Sequence, residues 1–188
     1  MNRKTALITG ATSGIGMACA RRFAVGGYNL IITGRSADKL QALKAELEAG
    51  GVEVLALAFD VCNREATRDA VASIPDAFKP IDVLINNAGL ARGLEPEYEG
   101  DFQDWDEMID TNIKGLLNMT RFVVPGMVSL NHGHVINIGS VAGDAAYAGG
   151  GVYCATKAAV KALTDGLRID VAHTSVRVTN LKPGLVET

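Results

Sequence analysis

The sequence never reaches 18 consecutive apolar residues, the length at which a membrane-spanning helix becomes the natural reading. Its start, Met1-Asn2-Arg3-Lys4, runs into a short apolar strand and lacks a signal peptide's apolar core and cleavage site. No membrane or secretory partner is therefore expected. Cysteine is scarce: Cys19, Cys62 and Cys154 are odd in number, have no C-x-x-C or metal-ligand spacing, and lie in apolar segments. That argues against a disulfide framework or a metal site and for a reducing, cytoplasmic setting. A basic stripe interleaved with aromatics is also missing, and 18 Lys and Arg against 21 Asp and Glu leave a net charge of −3, which speaks against nucleic acid as a partner. There is no low-complexity segment, no composition shift and no short-period repeat. The 188 residues, 48% hydrophobic, read as one domain able to bury roughly 70% of the surface of the unfolded chain.

Short β-rich runs alternate with longer helical patterns. Ala6–Thr9, Leu30–Thr33, Val54–Ala58, Val83–Asn86, Val135–Ile138 and Val176–Leu181 read as strands. Helices are expected over Ile15–Val25, Ala37–Ala49, Arg64–Ser73, Trp105–Ser129 and Tyr153–Ala172, with Gly26-Gly27 and Gly50-Gly51 as stops. The strands are apolar without alternation, as when helices cover both faces, so right-handed crossovers give an α/β, doubly wound parallel sheet of Rossmann type in the order 3-2-1-4-5-6.

The turn from the first strand to the first helix is Thr9-Gly10-Ala11-Thr12-Ser13-Gly14-Ile15-Gly16. Glycines there permit a tight turn and close approach of a pyrophosphate, with the helix-start amides facing the phosphates. Without a following Gly-Lys-Ser/Thr it is not a P-loop. An isolated glycine motif would be an ordinary turn; its place between strand and helix favours a dinucleotide. About 20 residues on, where an acidic side chain would bind the ribose of NAD, stands Arg35. A guanidinium suits a 2′-phosphate, which favours NADP(H) over the plain alternative of a solvated arginine. Tyr153 and Lys157 fall at i and i+4, on one helix face. A phenol, with an ordinary pKa of about 10, needs such a neighbouring cation to serve as acid and base near neutrality.

Thr9-Gly10-x-x-x-Gly14-x-Gly16, Asp60, Asn86-Asn87-Ala88-Gly89, Asn112, Ser140, Tyr153-x-x-x-Lys157 and Pro183-Gly184 together resemble the classical short-chain dehydrogenase/reductase family over the whole chain. The resemblance implies that Ser140 hydrogen-bonds the substrate oxygen, Tyr153 exchanges its proton, Lys157 holds the nicotinamide ribose and tunes the tyrosine, and Asn112 holds a relay water. It further implies a cofactor wall of Gly10, Thr12, Ser13, Gly14, Ile15, Gly16, Arg35, Asp60 at the adenine edge, Val61, Asn86, Ala88, Gly89, Pro183, Gly184, Val186 and Thr188. Asn86-Asn87-Ala88-Gly89-Leu90-Ala91, Trp105 with Met108–Asn112, His132-Gly133-His134 and Tyr147-Ala148-Gly149-Gly150 are similar to the bacterial NADP-dependent 3-hydroxy acid branch, also described as serine or L-allo-threonine dehydrogenases. The expected reaction is hydride transfer between NADP(H) and a small 3-hydroxy acid or β-hydroxy amino acid. A 3-oxoacyl reductase, or a cofactor-binding module without turnover, is the alternative. The sequence stops at Thr188, short of the family's seventh strand and closing helix, so a C-terminally incomplete catalytic domain is expected.

Other features read as ordinary. His132 and His134 are too close, without carboxylates nearby, for a metal site, and a solvated turn is expected. The acidic stretch from Glu95 to Glu107 leads into a helix start, where negative charge is favourable. Cys154 is read as packing, and Arg92 as a solvated loop residue with a minor prospect of binding a substrate carboxylate. The helix over Trp105–Ser129 is apolar nearly all round and the neighbouring stretch Ala155–Ala162 is alanine-rich, so a homo-oligomer, dimer or tetramer, is expected.

Overall fold

The structure, a computed structural model, describes residues 3–186. The apolar runs form six strands: β1 (Thr5–Ile8), β2 (Asn29–Gly34), β3 (Val54–Ala58), β4 (Ile81–Asn86), β5 (His134–Ile138) and β6 (Arg177–Leu181). They pair in parallel in the order β3-β2-β1-β4-β5-β6, the order expected of two Rossmann halves. The helices are α1 (Gly14–Val25), α2 (Ala37–Glu48), α3 (Arg64–Ala72), α4 (Phe102–Ile109), α5 (Leu116–Ser129) and α6 (Gly151–Asp170).

Successive side chains of a strand point to opposite faces, so each inner strand feeds two cores. Ala6 and Ile8 of β1, with Leu30 and Ile32 of β2, pack against Ala20 of α1 and Leu40, Leu43 and Leu47 of α2. Leu7, Ile31, Leu84 and Val135 face the other way, onto Met119, Val123, Val124 and Met127 of α5. Each of the Leu, Ile, Val and Met side chains taken wholly out of water contributes about 1.5 to 3 kcal/mol. The edge strand β6 alternates, with Val178 buried between exposed Arg177 and Thr179, because only part of it is covered.

One expected element is divided. The helix over Trp105–Ser129 is α4, then a wider π-helical turn at Asp110–Gly115, then α5. A β-carbon on Gly115 would lie 2.6 Å from Val61 Cγ2, so the turn is pressed against the end of β3. Turns of this kind recur at functional sites, and this one carries Asn112. Most of the segment's apolar surface is covered within the chain; Phe102, Ile109 and Leu117 stay exposed. Among the described residues no helix is long and apolar enough to cross a membrane.

Candidate active site

The C-terminal ends of the strands open onto a cleft of about 470 Å³. Its floor is the turn after β1. Gly10 has a left-handed φ of +63°, and a β-carbon on it would lie 2.9 Å from Ala88 Cα. Gly16 is buried against the Gly10 carbonyl and the Asn87 carboxamide, with no room for a β-carbon. The two loops are stitched by Asn87, whose Nδ2 donates to Thr9 O at 2.8 Å and Gly10 O at 3.1 Å. Thr9 Oγ1 accepts from the amides of Asn87 and Ala88 at 3.0 and 2.9 Å.

Helix α1 starts differently from its neighbours. Ser36, Asn63 and Asp101 cap α2, α3 and α4 with a side-chain oxygen, and an acidic residue lies in each first turn. Ser13, at the head of α1, makes no side-chain cap, and the first turn holds no acid. The unsatisfied amides and positive dipole end therefore face the cleft, where a pyrophosphate would satisfy both. Together with the glycine cradle, this fits a dinucleotide.

Thr12, Ser13, Gly14, Ile15, Arg35, Asp60, Val61, Ala88 and Gly89 all line the cleft, as do Pro183, Gly184 and Val186 across from them. Asp60 Oδ1 accepts from Cys62 N at 2.9 Å, which fixes the carboxylate at the end of β3. Thr188 lies outside the described residues. Three expected residues stand behind the wall. Besides Gly16, Asn86 turns inward, its Nδ2 donating to Asn137 Oδ1 at 2.9 Å, and Asn112 is only 2% exposed. Asn112 Oδ1 accepts from Leu90 N, while Nδ2 donates to Leu90 O and to Thr156 Oγ1, at 2.9, 2.9 and 3.0 Å. Both amide hydrogens are used within the protein, so the side chain has none left to donate to a water.

At the other end of the cleft, Ser140, Tyr153 and Lys157 share the wall. Ser140 follows β5, and its Oγ accepts from Ala142 N at 3.1 Å, capping a short turn over Val141–Gly143. That turn is pressed onto α6: a β-carbon on Gly143 would sit 2.7 Å from Lys157 O. Lys157 is 7% exposed, with Nζ donating to Ile138 O at 2.9 Å and lying 5.8 Å from the centre of the Tyr153 ring. Burial pushes its ammonium down to about 8. The cleft thus has a phenol, a hydroxyl and a buried lysine at one end and an uncapped helix start in its floor.

Reading the sequence alone missed Thr156, whose hydroxyl links Asn112 to Tyr153 O, and Gly139, which lines the cleft against the Asn180 carboxamide. Thr156 stands beside Lys157 inside the Tyr-x-x-x-Lys motif, but its partner lies 44 residues away. Of the features read as ordinary, His132 meets Asp82 at 3.0 Å and His134 meets Thr179 at 2.8 Å. Cys154 is buried, and Asp101 and Asp104 sit at the start of α4 as expected. Arg92 pairs with Glu107.

Residues 4–188 match the short chain dehydrogenase family. The chain is 55% identical over 180 residues to the NADP-dependent 3-hydroxy acid dehydrogenase YdfG of Salmonella typhi, covering 96% of this chain and 71% of that protein. It is 48% identical over 184 residues to serine 3-dehydrogenase of Rhizobium radiobacter, covering 98% and 72% respectively. Among solved structures, serine dehydrogenase from Escherichia coli superposes with a TM-score of 0.93 at 51% identity, over 97% of this chain and 83% of that one. The closed form of serine dehydrogenase complexed with NADP+ gives 0.94 at 51% identity, over 97% and 73%. By sequence and by fold alike, the chain belongs to the short chain dehydrogenase family.

Proposed function

We propose that this chain, as one dinucleotide-binding catalytic domain, transfers hydride between NADP(H) and the hydroxyl-bearing carbon of a small 3-hydroxy acid or β-hydroxy amino acid. The observation that carries the reading is the placement of Tyr153, Lys157 and Ser140 on one wall of a cleft that has Arg35 beyond its phosphate-binding turn. The names of its relatives, a 3-hydroxy acid dehydrogenase and a serine dehydrogenase, point to the same substrates.

Each residue has a separate task. Gly10, the amides at the head of α1 and Gly14 receive the pyrophosphate, with Gly16 behind them allowing the close approach. Arg35 takes the 2′-phosphate, and Asp60 and Val61 border the adenine. Ala88 and Gly89 hold backbone against the cofactor, with Asn86 behind them, and Pro183, Gly184 and Val186 do so from across the cleft. Bound NADP+ supplies the hydride acceptor. Ser140 Oγ orients the substrate hydroxyl, and Tyr153 removes its proton as general base. Lys157 holds the nicotinamide ribose and keeps positive charge beside the phenolate. Asn112 fixes the Leu90 segment and the start of α6, and holds a water for proton release.

Ala155, Ala158, Ala162 and Gly166 form an exposed, flat stripe along α6, and Phe102, Ile109 and Leu117 are exposed on α4 and α5. These faces support a two-fold homodimer, checked by light scattering at micromolar concentration. Three free cysteines support a reducing, cytoplasmic setting.

Tyr153→Phe tests the chemistry. It is expected to abolish NADP+ reduction by 3-hydroxy acids and serine while NADP+ still binds within about threefold of wild type, the phenolic oxygen serving the proton step alone. Retained turnover in that variant would overturn the assignment.

A further inference from the structure

A substrate with a carboxylate needs a cation near its reacting carbon, and few are on offer. Among the described residues, the main cleft and the small cavity beside it at Tyr153 are lined by three cationic side chains: Arg35, Lys157 and Arg92. Arg35 follows β2, about 14 Å from the line of β5 at ordinary strand spacing, too far for a small acid whose hydroxyl is on Tyr153. Lys157 is buried and donates to Ile138 O. Lys182, next to Pro183, is matched by both oxygens of Asp144, at 2.9 and 3.0 Å.

Arg92 is left, and its surroundings hold it in place. Leu90 is held at both main-chain groups by Asn112. Gly93, immediately after Arg92, turns the chain with a left-handed φ of +68°. Arg92 Nε pairs with Glu107 Oε2 at 3.2 Å, and a guanidinium can grip a second carboxylate in parallel with two of its nitrogens. Gln103 Nε2 braces the other Glu107 oxygen at 3.5 Å. Arg92, Tyr153 and Trp105 border the same small cavity, where, among the described residues, Arg92 is the one cation beside Glu95, Glu97, Asp101 and Asp104.

We infer that Arg92 is a specificity-determining residue that binds the substrate carboxylate through its terminal nitrogens, with Glu107 holding the guanidinium from behind. This rests on the hydroxy acid reading above. It gives the enzyme a reason to prefer an acid over an uncharged alcohol of the same shape.

Trp105 is the only tryptophan in the sequence and lines the cavity, so its fluorescence reports ligand without turnover. The protein with NADPH, which cannot accept a hydride from them, is titrated with 3-hydroxypropanoate and with the uncharged 3-hydroxypropanamide, and both are assayed as substrates with NADP+. Wild type is expected to bind the acid at least about 10-fold more tightly than the amide, the scale of a charge-assisted pair. Arg92→Ala and Arg92→Gln are expected to bring that ratio close to one, raising KM for the acid about 10- to 100-fold with the loss in KM rather than kcat. Arg92→Lys retains part of the preference, and Glu107→Gln, which frees the guanidinium, lowers KM for the acid. A wild type that oxidises the acid, with Arg92 variants that keep the acid-to-amide ratio, overturns the role of Arg92 alone. A wild type that neither distinguishes acid from amide nor oxidises a hydroxy acid overturns the substrate reading beneath it.

Discussion

Asn112 Nδ2 donates to Thr156 Oγ1 over 3.0 Å, tying the wide turn between α4 and α5 to the first half of α6. Both side chains are buried, and the Thr156 hydroxyl itself donates to Tyr153 O at 2.8 Å. The main chain that carries the phenol is thus held through Thr156 by a residue from another part of the sequence. Thr156→Val keeps the shape but removes the hydroxyl, leaving an amide hydrogen of Asn112 without a partner in the interior. Its unfolding free energy is expected to fall by about 1 to 3 kcal/mol, the cost of an unsatisfied buried polar group. Thr156→Ser restores most of that, and wild-type stability in the valine variant, by urea unfolding, would show that the bond contributes nothing.

The same pair marks what the sequence could not show. The alternation of strands and helices follows from short and long periods, and the pairing of Tyr153 with Lys157 from helical spacing; both are local, whereas the strand order comes from the common Rossmann pattern. The bonds of Asn112 reach residues 22 and 44 positions away, so the sequence could nominate Asn112 but not reveal that its side chain lies behind the cleft wall. The π-helical turn was illegible because one wide turn leaves the apolar periodicity of Trp105–Ser129 almost unchanged. That periodicity also overstated the free surface: Met108, Met119 and Met127 are covered by this chain's own sheet and helices. For Gly16 the position between strand and helix was enough, since backbone against backbone is what such a turn requires.

Gly16 gives a sharp steric test. No β-carbon fits between it, the Gly10 carbonyl and the Asn87 carboxamide, whereas a β-carbon on Gly126 of α5 would meet nothing within 4 Å. Gly16→Ala is expected to cost about 1 to 3 kcal/mol by overpacking and to weaken NADP+ binding, because relief of the clash moves the phosphate-binding turn. Gly126→Ala is expected to be neutral or stabilising by up to about 1 kcal/mol, from the better helix propensity of alanine. Thermal unfolding of the two variants side by side checks both signs, and an equal effect would refute the steric account.

Arg35 gives the test of cofactor preference. It is exposed at the end of β2 and shares the cleft wall with Thr12 and Ser13. Wild type is expected to bind NADP(H) more tightly than NAD(H). Arg35→Asp exchanges a phosphate donor for a carboxylate that accepts from ribose hydroxyls and repels the 2′-phosphate. Affinity for NADP+ should drop at least about 10- to 100-fold, with NAD+ binding held or improved. Equal loss for both nucleotides, measured as dissociation constants, would mean that Arg35 supports the fold of the turn instead.

Lys157 predicts an unusual dependence of stability on pH. Burial lowers its ammonium from 10.5 to about 8 in the folded protein, while the unfolded chain keeps the ordinary lysine value. Between those two values the unfolded state binds more protons than the folded one, so the contribution of Lys157 to stability rises with pH across that window. Below pH 8 the lysine is charged in both states, and folding bears the whole cost of burying the ammonium; above 10.5 it bears none. Lys157→Met keeps a side chain of similar length without that cost, and gives up the hydrogen bond to Ile138 O. The stability of the variant relative to wild type should therefore fall as pH rises from 8 toward 10.5, by an amount on the order of 3 kcal/mol at most. Urea unfolding without nucleotide at a series of pH values measures the difference directly, and taking it against the variant cancels the titration of the other lysines and tyrosines. A difference that stays constant over that range would show that Lys157 keeps the proton affinity of a solvated lysine, and would remove the ground for treating it as a poised cation.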